Sequence, residues 1–236
     1  MRDISLNGHS MAPKRVSFDG GVEGLVGYLF IPPGDGPFPC VIDNHGSATP
    51  PGTTDLSHPQ TACLFLSWGC AYLFPHRAGY GESTGTPLAD AVTAQRGTAE
   101  HDTQMSARLV EENCDVLAAL NFAASAPDID PTRIVAMGSS LGGIHTLLAL
   151  AADKRWKCGL NFSGGASQWS AHPKIRSMIM EAAQLLPQPV YLIQPANDFN
   201  TAPTDELGAL LSERDHPFEA RIFPPWGTDG SEAHRF

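Results

Sequence analysis

Residues 133–150 constrain the fold of this 236-residue chain more than any other stretch. Ile134, Val135, Ala136 and Met137 form a short apolar run of the kind that fills a buried parallel strand. Gly138-Ser139-Ser140-Leu141-Gly142 follows directly and fits G-x-S-x-G with Ser140 at its centre. Residues 141–152 contain no proline and carry apolar residues at helical spacing. Strand, glycine-flanked turn and helix in that order are the context of a nucleophile elbow, whose central serine is held in a strained backbone conformation. So sharp a turn needs small neighbours, which Gly138 and Gly142 supply. The serine hydroxyl then stands beside a helix N-terminus, where free N–H groups favour developing negative charge.

The remaining chain repeats an alternation of strands and helices. Residues 16–18 and 25–31 read as two strands joined through an Asp19-Gly20-Gly21 turn, able to pair antiparallel at one edge of a larger sheet. A breaker cluster at 32–37 ends that hairpin. Further strands are expected at 40–43, 71–74, 134–137, 158–162, 190–193 and 218–223. Helices are expected at 59–68, 101–125, 141–152, 175–186 and 204–213. In the longest of them Val110, Val116, Leu117, Leu120 and Phe122 contribute much of the apolar face. Such alternation predicts an α/β fold with a mostly parallel sheet covered by helices on both faces. No repeat, low-complexity tract or long linker divides the chain, so one domain over 1–236 is expected. The segment between Phe162 and Val190, with room for one short helix and its connections, is the only place expected for a lid and is too short for a large cap domain.

Charge and cysteine content exclude several function classes. The formal charge is −10, so no basic surface recommends nucleic acid or an anionic membrane as partner. No apolar run approaches the roughly 20 residues that span a bilayer, and the first residues lack the apolar core of a signal peptide. The five cysteines show no C-x-x-C spacing and mostly sit in apolar runs, which points to buried reduced thiols in a cytoplasmic protein. H-E-x-x-H and clustered Cys/His spacings are absent from the sequence, so neither metal nor cofactor is expected.

A serine hydroxyl needs a base within hydrogen-bond reach and a group that orients the base. In a doubly wound sheet such groups collect after the carboxyl ends of strands. Asp198 follows the strand at 190–193, and His234 follows the last strand, giving the chain order Ser, Asp, His that accompanies an elbow serine. His216 precedes its strand and falls on the wrong side of the sheet. His145 lies on the elbow helix roughly 500° of rotation beyond Ser140 and need not face it. Asp205 and Asp215 sit at helix ends, where capping is the commoner role. A second match to the pattern, Gly81-Glu82-Ser83-Thr84-Gly85, neither follows its strand directly nor precedes a helix, because Thr86-Pro87 comes next. Ser83 is therefore read as a loop residue. An oxyanion intermediate requires two converging donors. The Leu141 N–H is one, and the Ser47 N–H is expected as the other, with Gly46 and Ala48 as alternatives and Gly46 permitting an unusual backbone. Tyr80, Trp169, Phe199 and Trp226 lie in loops near strand ends, where they can line a substrate pocket or pack against the domain.

With Asn44-His45-Gly46-Ser47, Arg77-Ala78-Gly79-Tyr80-Gly81-Glu82-Ser83-Thr84-Gly85, residues 128–143, Asp198 and His234 in place, the chain resembles the α/β-hydrolase superfamily along nearly its whole length. It is most similar to the cap-poor dienelactone hydrolase-like and acyl-peptidase-like branches. That resemblance implies the α/β-hydrolase fold and a serine hydrolase acting on small carboxylic esters through an acyl-enzyme. Dienelactone hydrolase itself uses a cysteine, so serine at position 140 favours general esterase chemistry over lactone opening. The family also implies a helix after the histidine, whereas the sequence given ends at Phe236. Two other readings stand beside the esterase: a small peptidase or amidase of the same fold, and a non-catalytic binding protein on a hydrolase scaffold.

Overall fold

In the computed structural model, which describes residues 5–6, 9–10, 12–20, 24–47 and 58–236, the apolar runs become strands. The strands are β1 (Ser5–Leu6), β2 (His9–Ser10), β3 (Lys14–Phe18), β4 (Leu25–Phe30), β5 (Phe38–Asn44), β6 (Ala71–His76), β7 (Ile129–Ser139), β8 (Trp156–Phe162), β9 (Val190–Pro195) and β10 (Phe218–Phe223). The helices are α1 (Pro59–Ser67), α2 (Leu88–Ala91), α3 (Ala99–Ser125), α4 (Leu141–Ala152), α5 (Pro173–Leu185), α6 (Ala202–Glu213) and α7 (Gly230–Ala233). Strands β1 and β2 make a separate antiparallel pair, and the other eight form one sheet in the order β10-β9-β8-β7-β5-β6-β4-β3. From β10 to β6 every pairing is parallel. The first hairpin closes the far edge antiparallel as expected, with Lys14 opposite Leu29 and Phe18 opposite Leu25. Residues 21–23 of its connection, and the loop at 48–57 with the alternative donor Ala48, lie outside the described residues.

Period-two alternation sorts the strand side chains between the two faces. Leu29, Cys40, Ile42, Leu73, Ile134 and Leu192 join the larger core cluster, with residues of α3, α4, α5 and α6. Their strand neighbours Tyr28, Phe30, Val41, Tyr72 and Phe74 point the other way and pack with Ala62, Phe65 and Leu66 of α1. Helices thus cover both faces. Helix α3 starts where Thr98 Oγ1 accepts the His101 N–H at 3.2 Å, with Glu100 and Asp102 in its positive first turn.

Three local expectations need correction. Val110 is 57% exposed and does not belong to the apolar face of α3, which buries Met105, Leu109, Val116 and Leu120. Polar Glu112 and Asp115 are also buried on that helix, because they bind the loop after β6, as described below. Strand β7 begins at Ile129 rather than 134. A register shift between the Phe38–Ile129 and Cys40–Ile134 pairs makes room for Pro131, which an uninterrupted central strand would exclude. Of the five free cysteines only Cys40 is buried and Cys114 is exposed, so the expectation of buried thiols holds at one position. Among the described residues no helix is long and apolar enough to cross a membrane.

Candidate active site

The turn between β7 and α4 carries the strain the sequence implied. Ser140 has φ 58° and ψ −121°, a left-handed conformation that costs a non-glycine residue about 1–3 kcal/mol. Tertiary contacts hold it there. Its N–H donates to Phe162 O at 2.9 Å, and its carbonyl accepts the Gly143 and Ile144 N–H groups at 3.0 and 3.2 Å. Both flanking glycines are required by close approach, and neither has a positive φ. A Cβ on Gly142 would lie 1.7 Å from Asn44 O, and one on Gly138 would lie 2.4 Å from the Gly142 carbonyl. The end of β5 therefore presses directly on the elbow.

The structure brings Ser140, His234 and Asp198 into one hydrogen-bonded series. His234 Nε2 lies 2.8 Å from Ser140 Oγ, and His234 Nδ1 lies 2.8 Å from Asp198 Oδ1. An ionised carboxylate only accepts, so Nδ1 carries the proton and Nε2 is left to accept from the serine hydroxyl. Asp198 is fixed from several sides. Oδ1 also accepts the Phe199 N–H at 2.7 Å, and Oδ2 accepts Gln194 Nε2 at 2.8 Å. Gln194 is itself held by Thr204, whose hydroxyl donates to Gln194 Oε1 at 2.7 Å. Burial raises the Asp198 carboxyl, but hydrogen bonds from His234, Gln194 and Ser163 outweigh it and keep the group below the ordinary carboxylate value. Gln194 was not singled out from the sequence. Its signal is an amide at the end of an otherwise apolar strand.

Local contacts in the last residues position His234. It follows α7, whose N-cap Asp229 accepts the Ser231 and Glu232 N–H groups at 2.8 and 2.9 Å. The Glu232 carboxylate accepts from Thr228 N and Oγ1, and the Phe236 ring lies 5.5 Å from that of Phe223. The loops that carry acid and base are joined to each other. Asn197 Nδ2 donates to Trp226 O and Trp226 N donates to Asn197 Oδ1, both at 2.9 Å.

Ser47 and Leu141 line one cavity of about 950 Å³ beside the elbow. As the first residue of α4, Leu141 has no intrahelical acceptor for its N–H. Gly46 has no positive φ, so the backbone freedom that glycine permits is not used there. Glycine is needed there because a Cβ would stand 3.3 Å from Ser139 O and 3.5 Å from Ser140 Cβ. Of the four aromatic residues considered for a pocket, the structure places only Tyr80 on the cavity wall. Trp169 is 3% exposed within the core. The Phe199 ring lies 5.0 Å from that of His234, and Trp226 stacks edge-on with Phe236. The rest of the wall includes residues of α2 and of 92–97, with His101, Met105, Gln168 and His172, which sequence reasoning had not assigned. Residues between 80 and 97 therefore contribute to the cavity wall alongside Ser167, Gln168, Ala171 and His172 of the expected lid segment at 163–189.

A buried charge network braces the Asn44–Ser47 turn from below. Arg77 N–H donates to His45 Nε2 at 3.1 Å and Arg77 Nη1 to His45 O at 2.7 Å, while His45 Nδ1 donates to Gly46 O at 2.8 Å. These roles fix His45 as a neutral imidazole. Burial, then the Arg77 charge, lower it well below the usual histidine value. Arg77 is paired to Glu112 at 2.9 Å, which also binds Arg108 and His145. Burial raises the Glu112 carboxyl, and the His145 hydrogen bond and the Arg77 charge overcome this to hold it at about 2. Ala78 N–H donates to Asp115 at 2.8 Å, which explains the second polar residue buried on α3. Ser83, the alternative nucleophile, is occupied: its Oγ accepts the Val26 N–H at 2.9 Å and donates to His76 O at 2.7 Å. His216 likewise donates to Gln188 O at the amino end of β10.

Comparison with known proteins agrees with this architecture. Residues 57–197 match the model of the prolyl oligopeptidase family. The quorum-quenching protein AidA of Acinetobacter baumannii is 30% identical over 151 residues, covering 64% of this chain and 43% of that protein. Among solved structures, the Pyrococcus horikoshii acylaminoacyl peptidase has a TM-score of 0.72 at 18% identity, over 92% of this chain and 38% of its own. An acetyl xylan esterase from Paenibacillus sp. R4 has a TM-score of 0.69 at 20% identity, over 97% of this chain and 82% of its own. The chain spans less than half the length of the curated relatives it matches. An eight-stranded, mostly parallel sheet with a strained serine elbow after β7, and a family match over more than half of its residues, make this chain a member of the prolyl oligopeptidase family with the α/β-hydrolase fold.

Proposed function

We propose that the chain is a serine hydrolase that cleaves small carboxylic esters through an acyl-enzyme. The observation that carries this reading is the pair of 2.8 Å contacts linking Ser140, His234 and Asp198 at the mouth of the elbow. In the first half-reaction Ser140 Oγ attacks the ester carbonyl and its proton passes to His234 Nε2. The oxyanion of the tetrahedral intermediate accepts from the Leu141 and Ser47 N–H groups. Collapse breaks the bond to the alcohol, which leaves with the proton from His234, and the acyl group remains on Ser140. Water then attacks the acyl-enzyme with His234 as base, releasing the carboxylic acid and restoring the serine. Asp198 keeps the proton on Nδ1 throughout and stabilises the imidazolium.

Treatment with a fluorophosphonate followed by mass spectrometry tests this reading. A single adduct on Ser140 is expected, and folded protein without a label there would refute catalysis in favour of a binding role. A second reading, hydrolysis of amide or peptide bonds, is favoured by the match to the prolyl oligopeptidase family. The two separate on turnover of 4-nitrophenyl acetate against an aminoacyl anilide, and faster anilide cleavage would replace the esterase assignment. With a formal charge of −10, the partner we propose is a small molecule rather than nucleic acid or membrane, acted on in the cytoplasm without a cofactor.

A further inference from the structure

The wall of the cavity beside Ser140 is chemically mixed. Leu141 and Ser47 line it next to the elbow, and Arg96, His101, Gln168 and His172 line it as well. His172 Nε2 and His101 Nδ1 lie 3.2 Å apart, so one ring donates to the other and the pair is fixed in orientation. Two polar atoms of this wall, His172 Nδ1 and Gln168 Oε1, are buried and have no hydrogen-bond partner among the described residues. Buried polar groups are rarely left so, because each costs its full desolvation. Arg96 stands out in the same way. Its guanidinium makes no hydrogen bond or ion pair among the described residues, whereas every other described arginine donates to a carboxylate or another oxygen acceptor. In a chain with ten more acidic than basic side chains, an unpaired cation on a cavity wall runs against the average field.

We propose that this wall binds a carboxylate carried by the substrate, so that the ester cleaved is the half-ester of a dicarboxylic acid. The inference rests on the esterase reading above and names its substrate class. A guanidinium offers two parallel N–H groups to a carboxylate, and His172 Nδ1–H adds a third donor when His101 Nδ1 donates to His172 Nε2. Asp90 lines the same cavity and the Asp102 charge acts on His172; both disfavour an anion, so Arg96 must supply the attraction. The scissile carbonyl then lies beside the Leu141 and Ser47 N–H groups, with Leu88, Met105 and Tyr80 as apolar wall for the acyl chain.

The test compares kcat/KM for the 4-nitrophenyl half-ester of adipic acid with that for 4-nitrophenyl hexanoate, whose acyl chain is equally long, after subtraction of spontaneous hydrolysis. The half-ester should be preferred by the wild-type protein by about tenfold or more, the size of a charge-assisted hydrogen bond. Arg96→Gln should bring the ratio to near one and Arg96→Lys to an intermediate value. Arg96 is exposed, so these variants are expected to fold. A wild-type ratio at or below one, or a ratio that Arg96→Gln leaves unaltered, would overturn the proposal while leaving the esterase reading intact. Should neither ester turn over, the esterase reading fails by itself, and calorimetric titration with monomethyl adipate decides the carboxylate site. Binding to wild-type protein that is lost in Arg96→Gln supports it, and no binding to wild-type protein overturns it.

Discussion

The chain contains the pattern G-x-S-x-G twice, and the two copies place their left-handed residues in opposite ways. At 138–142 the serine takes the left-handed conformation, and the glycines serve only to let the elbow touch the end of β5. At 81–85 the glycines take it, with φ +52° at Gly81 and +100° at Gly85, and the serine does not. Strain on the serine projects its hydroxyl toward an incoming group; positive φ at the glycines, unstrained because they lack a Cβ, folds the loop back so that Ser83 bonds two backbone groups. Letters alone do not separate the copies. What precedes and follows them does, since only the first lies between a strand and a helix long enough to expose free N–H groups.

Substitution of the serines should invert across this comparison. Ser140→Ala is expected to lower kcat for 4-nitrophenyl acetate by on the order of 10⁶, whereas Ser83→Ala should retain turnover. The opposite outcome would exchange the roles of the two loops. Asp198→Asn should cost about 10⁴ in kcat, because the amide donates where the carboxylate accepts and turns the imidazole to the wrong tautomer. A loss below tenfold would show that His234 is oriented without it.

Glycine substitution separates the loops by stability. A methyl group on Gly142 meets backbone oxygen at 1.7 Å, so Gly142→Ala should destabilise by several kcal/mol and abolish labelling of Ser140. Gly85→Ala, strained by its φ but with its nearest contact a methyl group at 3.1 Å, should cost about 1 kcal/mol in urea denaturation. Equal costs would mean that the elbow can yield.

Acid should act through the loop after β6 rather than through the elbow. Burial, then the Arg77 charge, lower His145 from 6.5 to about 4, so between those values the unfolded chain binds the proton first. Stability is therefore complete above pH 6.5 and falls by on the order of 3 kcal/mol as pH drops through 4. Glu112, at about 2 against an ordinary 4.5, adds a further loss in the same direction below pH 4.5. Urea midpoints that stay constant from pH 7 to about 4 would contradict the His145 shift, and midpoints that stay constant from pH 4.5 to about 2 would contradict the Glu112 shift. Ser83→Ala removes the acceptor of the Val26 N–H and should lower stability by about 1–3 kcal/mol, read as a melting temperature several degrees lower.

Much of the sheet was legible because its strands are short apolar runs between breakers, and because residues after strand ends share one edge. That rule alone set Asp198 and His234 beside Ser140, and the coordinates place them in contact. Other features depend on tertiary partners. Val110 matches the helical spacing of a buried residue, yet among the described residues no element buries it, while Glu112 and Asp115 break that spacing to hold Arg77 and Ala78. Trp169 reads as a loop aromatic and is core, because Gly165, with φ +88°, lets the chain fold over it. Nothing local marks Arg96, His101 and His172 as neighbours, since the cavity wall is assembled from segments some seventy positions apart.

The paired amides of Asn197 and Trp226 bear on how the candidate relay responds to distortion. They tie the loop after β9 to the loop after β10, so acid and base are carried as one piece at the rim of the sheet. Ser140 is anchored separately, at the centre, by Phe162 and the end of β5. The acid–base joint is thereby doubly moored, and slack in the rim is taken up at the His234–Ser140 joint, the one a proton has to cross.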